Sequence, residues 1–142
     1  MASVTYGKFA QKLLEGVFDF TSDSIYCALV TSSYTPDVDT HEFFDDITNE
    51  ITGTGYTANG VALTSVSVSY DSVDNEAVLD ADDATWATST LTARGAVIYK
   101  RDGADSNSPL IRYIDFGQDE QSLVSTFSVV FDAEGIINLI VS

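Results

Sequence analysis

The chain is short of basic residues, cysteine, histidine and proline. Six Lys and Arg stand against 22 Asp and Glu, a formal net charge of −16. A field of that sign repels phosphate, which argues against nucleic acid as a partner and against a site on an anionic membrane. One cysteine rules out an intrachain disulfide. Set in Ile25-Tyr26-Cys27-Ala28-Leu29-Val30, Cys27 reads as a small buried strand residue. A reactive thiolate would need a base and electropositive surroundings. With one histidine, a Ser–His–Asp triad would have to rest on His41, and no serine sits in a nucleophile-elbow pattern. No apolar run approaches the roughly 18 residues of a membrane span. The start, MASVTYGKFAQ, has neither a basic n-region nor an apolar h-region, so no signal peptide is expected. The expectation is a soluble protein made in a cytoplasm.

What is present describes a folded chain. Apolar residues make up 44% and aromatics 11%, too many for disorder. The length suits one domain, residues 1–142, burying roughly 68–70% of its unfolded surface. The stretch Asp80 to Lys100 organises the reading. Trp86, the only tryptophan, follows Asp80, Asp82 and Asp83 and reads as a core or edge aromatic. Ala96-Val97-Ile98-Tyr99 is apolar on both faces and reads as a buried strand. Gly95 before it permits a bulge or a close backbone approach. Arg94 is the one cation between Lys12 and Lys100, and in so acidic a chain it should find a carboxylate.

Helical spacing predicts one helix, about residues 5–18. Tyr6, Phe9, Ala10, Leu13, Leu14 and Val17 form its apolar stripe, and Ser3 or Thr5 could cap its start. The rest reads as short strands. These are Ile25–Thr31, an extended piece at Ile47–Thr52, and Val66, Val68 and Tyr70 alternating with serines. Then come Ala77–Leu79 after a turn at Asp74-Asn75, Ala96–Lys100, Leu110–Phe116, Leu123–Phe131, and a closing strand Ile136–Val141. The closing strand is so apolar that a central place is expected. The prediction is a mainly β, single-domain sandwich or barrel of about seven to eight short strands with one N-terminal α-helix.

Little in this pattern points to chemistry. With 22 acids any loop shows a carboxylate pair, so pairs carry no glycosidase signal. Gly53-Thr54-Gly55 is followed by no helix pattern and no nearby cation, so it reads as a bend and not as a phosphate loop. The best metal candidate is Asp37-x-Asp39-x-His41 with Asp45 and Asp46 behind it. It lacks the EF-hand pattern and has too little His or Cys for zinc, so a solvated acidic loop is the simpler reading. The long loop Ser32–Asp46 should be tied to the body by Tyr34, Phe43 and Phe44. No catalytic, cofactor-binding or metal residue is assigned, no cofactor is expected, and the chain reads as a non-enzyme.

Four phrases taken together carry a resemblance. They are IYCALVTSSYTPD (25–37), NEITGTGYT (49–57), ATWATSTLTARGAVIY (84–99) and PLIRYIDFG (109–117). In this order they resemble a family of small virion structural proteins of tailed bacteriophages, over roughly residues 4–141. The resemblance implies a capsid decoration, or cement, protein on the outer virion surface, synthesised in a bacterial host cytoplasm. It would bind the major capsid protein or other virion proteins and bridge coat subunits in many copies, and a homo-oligomer is compatible with it. It carries no catalytic residues. The alternatives are a tail, collar or fibre component with glycan-binding loops at Ser32–Asp46 and Arg101–Pro109, or a hydrolase of cell-wall sugars with an acidic cleft. Exposed aromatics such as Tyr34 and Phe43 would mark the glycan reading.

Overall fold

The structure, a computed structural model, describes residues 2–141. Its elements are β1 (Val4–Thr5), α1 (Gly7–Leu14), β2 (Ile25–Val30), β3 (Val61–Ala62), β4 (Ser67–Asp71), β5 (Glu76–Asp80), β6 (Ala84–Lys100), β7 (Leu110–Val129) and β8 (Ile137–Ile140). They form two antiparallel sheets, a five-stranded one in the order β1-β7-β6-β2-β3 and a three-stranded one in the order β4-β5-β8. The molecule is therefore a mainly β sandwich with one α-helix, as the periodicity predicts.

The five-stranded sheet is covered on both faces. Side chains alternate along a strand, and β2 with its neighbours divides accordingly. Ile25, Cys27 and Leu29 join Ala96, Ile98 and Ile111 in one cluster, with Phe9, Phe18, Leu79, Trp86 and Phe127 packed over them. Ala28 and Val30 join Val97, Tyr99, Leu110 and Tyr113 in a second cluster, closed by Tyr6, Tyr34 and Phe44. This is why Ala96–Tyr99 is apolar without alternation: each neighbour in sequence serves a different core. Burying each large aliphatic side chain there contributes about 1.5–3 kcal/mol.

Three expectations are corrected. The helix spans residues 7–14, not 5–18. Gly16, at φ +79°, stops it, because the Gly16 amide donates to the Leu13 carbonyl and the Val17 amide to the Lys12 carbonyl, a Schellman closure. No side chain caps its start. Ser3 Oγ instead accepts the Asp115 amide, and Thr5 Oγ1 accepts from Arg112.

Second, two of the strands are long. β6 has 17 residues and β7 has 20. The stretches read as separate short strands, with a polar turn at 118–121, are one ribbon interrupted by bulges. Between the pairs Ala93↔Glu120 and Gly95↔Asp115, β6 places only Arg94 while β7 places Phe116 to Asp119. Gly117, at φ +81°, allows the excess to loop out. Arg94 Nε meets Asp115 Oδ1 at 2.9 Å, so the predicted carboxylate partner is there and braces the bulge. Gly95 is a close approach, as expected: the Tyr113 ring lies where a Cβ would stand.

Third, β8 is an edge and not a centre. Among the described residues it pairs only with β5. Ile136 and Ile137 reach the core, but Leu139, Ile140 and Val141 are 50%, 77% and 57% exposed.

Candidate functional site

The acidic loop 32–46 is a lid over the second core. Phe44 stacks on Tyr99 with ring centroids 4.2 Å apart, and Tyr34 packs edge-on to Tyr113. The Tyr34 hydroxyl lies 2.8 Å from that of Tyr6 and 2.9 Å from His41 Nδ1. The Asp37 amide, which can only donate, also reaches His41 Nδ1. Nδ1 is therefore an acceptor, Tyr34 donates to it, and Tyr6 donates to Tyr34. Burial pushes the Tyr34 hydroxyl up to about 12 and holds that of Tyr6 higher still.

The carboxylates of this loop serve its own backbone. Asp37 Oδ1 accepts the amides of Asp39 and Thr40, and Asp46 Oδ2 those of Glu42 and Phe43. Hydrogen bonds from the Thr40 hydroxyl and from those amides hold the Asp37 carboxyl below the usual carboxylate range. Asp37, Asp39, His41, Asp45 and Asp46 are thus not gathered into a metal site. Tyr34 is buried, and Phe43 is half-buried beneath the Lys12 ammonium, 4.8 Å from its ring centroid. Neither is an exposed platform for a sugar ring.

Acidic groups do converge elsewhere, on the β4–β5 hairpin. Asp71, Asp74 and Glu76 bring carboxylate oxygens within 4.8 Å of one another. Glu134 joins them by a hydrogen bond to Glu76, and that bond and the Glu76 charge, with Asp74 behind, raise its carboxyl above the ordinary value. The four come from the β4–β5 hairpin and the turn before β8, so no local spacing announces them. Oxygen ligands of this kind suit a hard divalent cation. Asp71 Oδ1 is already taken up by the Val73 and Asp74 amides, and Glu76 Oε1 by Asn138 Nδ2 at 2.9 Å.

The remaining singled-out residues are structural. Cys27 is fully buried, and burial pushes its thiol well above the usual range, away from thiolate chemistry. Trp86 is 3% exposed between Tyr56 and Phe127, and its indole N–H has no acceptor among the described residues. For Asp115, burial alone would raise the carboxyl, but the Gly117 amide and the Arg94 guanidinium outweigh it and hold it below the usual range.

The surface that stands out is the β8 edge beside α1. Leu14, on the helix, is 90% exposed, and Leu139, Ile140 and Val141 on and after β8 are exposed as well. Between helix and strand runs a groove of about 410 Å³ walled by Phe9, Ala10, Leu13, Leu14, Ile137 and Leu139, with Arg112 and Thr5 at its polar side. Four of the six cations are engaged by acids: Lys12 by Glu42, Arg94 by Asp115, Lys100 by Asp23 and Arg101 by Asp105. Arg112 forms no ion pair among the described residues. Its one hydrogen bond there goes to Thr5 Oγ1 at 3.0 Å. The stripe Leu13-Leu14 was legible as apolar, but its exposure follows from the helix stopping early.

A second apolar feature lies on the ribbon. Leu123 and Val124 are 78% and 72% exposed, and Val124 adopts φ +45°, a strained conformation for a β-branched residue. Thr88 across the ribbon has φ +49°. The register shifts here, and Ser89 and Ser122 fill the inner side by hydrogen bonding to each other at 2.8 Å. Comparison of the chain with protein-family models, with curated proteins and with solved structures returned no match.

Proposed function

We propose that this protein is a virion structural protein of a tailed bacteriophage, a decoration or cement protein that binds the outside of the capsid and bridges coat subunits. The observation that carries the docking part is the β8 edge, unpaired among the described residues, with its exposed aliphatic side chains and with Leu139 sharing a groove with Leu14 of α1. Apolar surface on an otherwise strongly charged body marks an interaction site. The bulge at Leu123-Val124 offers a second contact on a different element, as a bridging protein requires. The charge of −16 suits a place on the outer face, away from packaged DNA. The virion assignment itself rests on the resemblance of the four sequence phrases.

The test is antibody-gold labelling of intact purified particles, read by electron microscopy. Label spread evenly over heads is the expected result. Label confined to neck or tail would replace decoration by a collar or fibre role. Particles free of the protein, by labelling and by mass spectrometry, would end the virion reading.

A further inference from the structure

We propose that the free edge of β8 takes up an extended segment of a partner polypeptide as an added strand, and that an acidic side chain of that segment pairs with Arg112. The inference rests on the docking role of this surface and names the chemistry of what docks.

The main-chain geometry comes first. The Val141 amide donates to the Asn75 carbonyl across the β5–β8 ladder. Antiparallel ladders turn alternate residues toward and away from a given neighbour. Asn138 and Ile140 therefore direct their N–H and C=O groups to the open edge. Such an edge is a template for another strand, and proteins commonly blunt it with Lys, Pro, charge or a very short strand. The edges at β1 and β3 are two residues long. From Ile136 to Val141 there is no Pro and no charged residue.

The side chains add apolar surface. Leu139 and Leu14 are half-exposed or more and wall the groove, which has room for alternate side chains of an incoming strand, while Ile140 is exposed on the opposite face of β8. Addition of a strand to a sheet edge uses this division of labour, with main-chain bonds for affinity and pockets for specificity.

Arg112 decides the charge of the occupant. In a chain with 22 acids it pairs with none among the described residues, although it opens onto this groove. Asp132 lines the neighbouring groove of about 250 Å³ with Arg112 and makes no ion pair with it. A guanidinium left at the side of an apolar groove is complementary to a carboxylate brought from outside. A second copy of this chain fits less well: its own β8 run from Ile136 to Val141 brings no acid, so pairing edge to edge would leave Arg112 as it is.

The experiment uses the full chain and a blocked peptide of about six residues, alternating Val and Thr with one Glu, beside the same peptide with Lys for Glu. Binding is followed by ¹H–¹⁵N NMR. The expected result is shifts at the Asn138 and Ile140 amides and at Arg112 Nε with the Glu peptide. Binding should weaken about tenfold with the Lys peptide, and to a similar degree for the Glu peptide on the variant Arg112→Gln, which keeps a donor for Thr5. Equal affinity for the two peptides, or shifts that miss β8, would overturn the proposal without any variant. So would concentration-dependent dimerisation in sedimentation that Ile140→Glu abolishes, since the edge would then belong to a second copy. Evenly labelled heads with no peptide effect would sink this inference alone. Peptide binding at β8 with unlabelled particles would sink the virion reading alone.

Discussion

Two four-residue stretches look alike in sequence and differ in the molecule. Ala96-Val97-Ile98-Tyr99 reads as a buried strand, and Ile137-Asn138-Leu139-Ile140 lies in the run Ile136–Val141 that reads as a central one. The first is flanked by β2 and β7 and is wholly buried. The second has β5 on one side and nothing among the described residues on the other, and Ile140 is 77% exposed. Apolar composition states only that a stretch prefers to be covered. It does not say whether the cover comes from the same chain or from another.

The largest test of this contrast is a pair of alanine variants compared by urea denaturation. Ile98→Ala removes a side chain between two covered layers and should cost about 2–5 kcal/mol. Ile140→Ala should cost less than about 0.5 kcal/mol, as exposed sites do. Equal costs would show that β8 is covered in solution and break the comparison.

A smaller effect sharpens what covers the first stretch. Tyr99 and Val97 are roofed by loop 32–46, which the Tyr6–Tyr34–His41 hydrogen bonds hold down. Tyr34→Phe deletes the middle of that chain and leaves the Tyr6 hydroxyl buried without its acceptor. The expected loss is about 1–3 kcal/mol. Hydrogen exchange should quicken over residues 32–46 while β8 stays as it was. A variant with unchanged stability and exchange would mean that the loop is held by Phe44 stacking alone.

The smallest effect concerns the acids behind β8. Glu134 holds its proton more tightly in the folded chain than unfolded, because Glu76 shares a hydrogen bond and a charge with it. Between the ordinary glutamate value and the raised one the native state binds more protons, so stability from this group falls as pH rises through that window. Glu134→Gln should therefore raise the melting temperature slightly at neutral pH, with the gain vanishing as pH falls into the carboxylate range. Added salt should narrow the same gain. A variant less stable than the parent at neutral pH would show that the carboxylates serve a purpose other than mutual repulsion, a bound cation among them.

Much of the fold was legible because it rests on local rules. The serine-spaced Val68 and Tyr70, the Asp74-Asn75 turn and the bends at Gly55 and Gly60 follow from strand alternation and from residues that tolerate positive φ. The missed features depend on partners far away in sequence. The bulge at Phe116–Asp119 continues one ladder through what reads as a turn, since Arg94 and Asp115 meet across it. The acidic group at Asp71, Asp74, Glu76 and Glu134 is assembled by hairpin and turn together. The candidate surface was half legible: its apolar residues were visible, but their exposure was not.

The sequence by itself determined a mainly β chain with one short helix, a buried Cys27, a carboxylate partner for Arg94 and a strongly negative surface. Those follow from periodicity, composition and charge, which act residue by residue. Only the tertiary structure decided which apolar strand lies at the centre and which at an edge, and which cations meet an acid among the described residues. Both depend on how many neighbours a strand or charge meets after folding, and those neighbours come from parts of the chain that no local pattern connects.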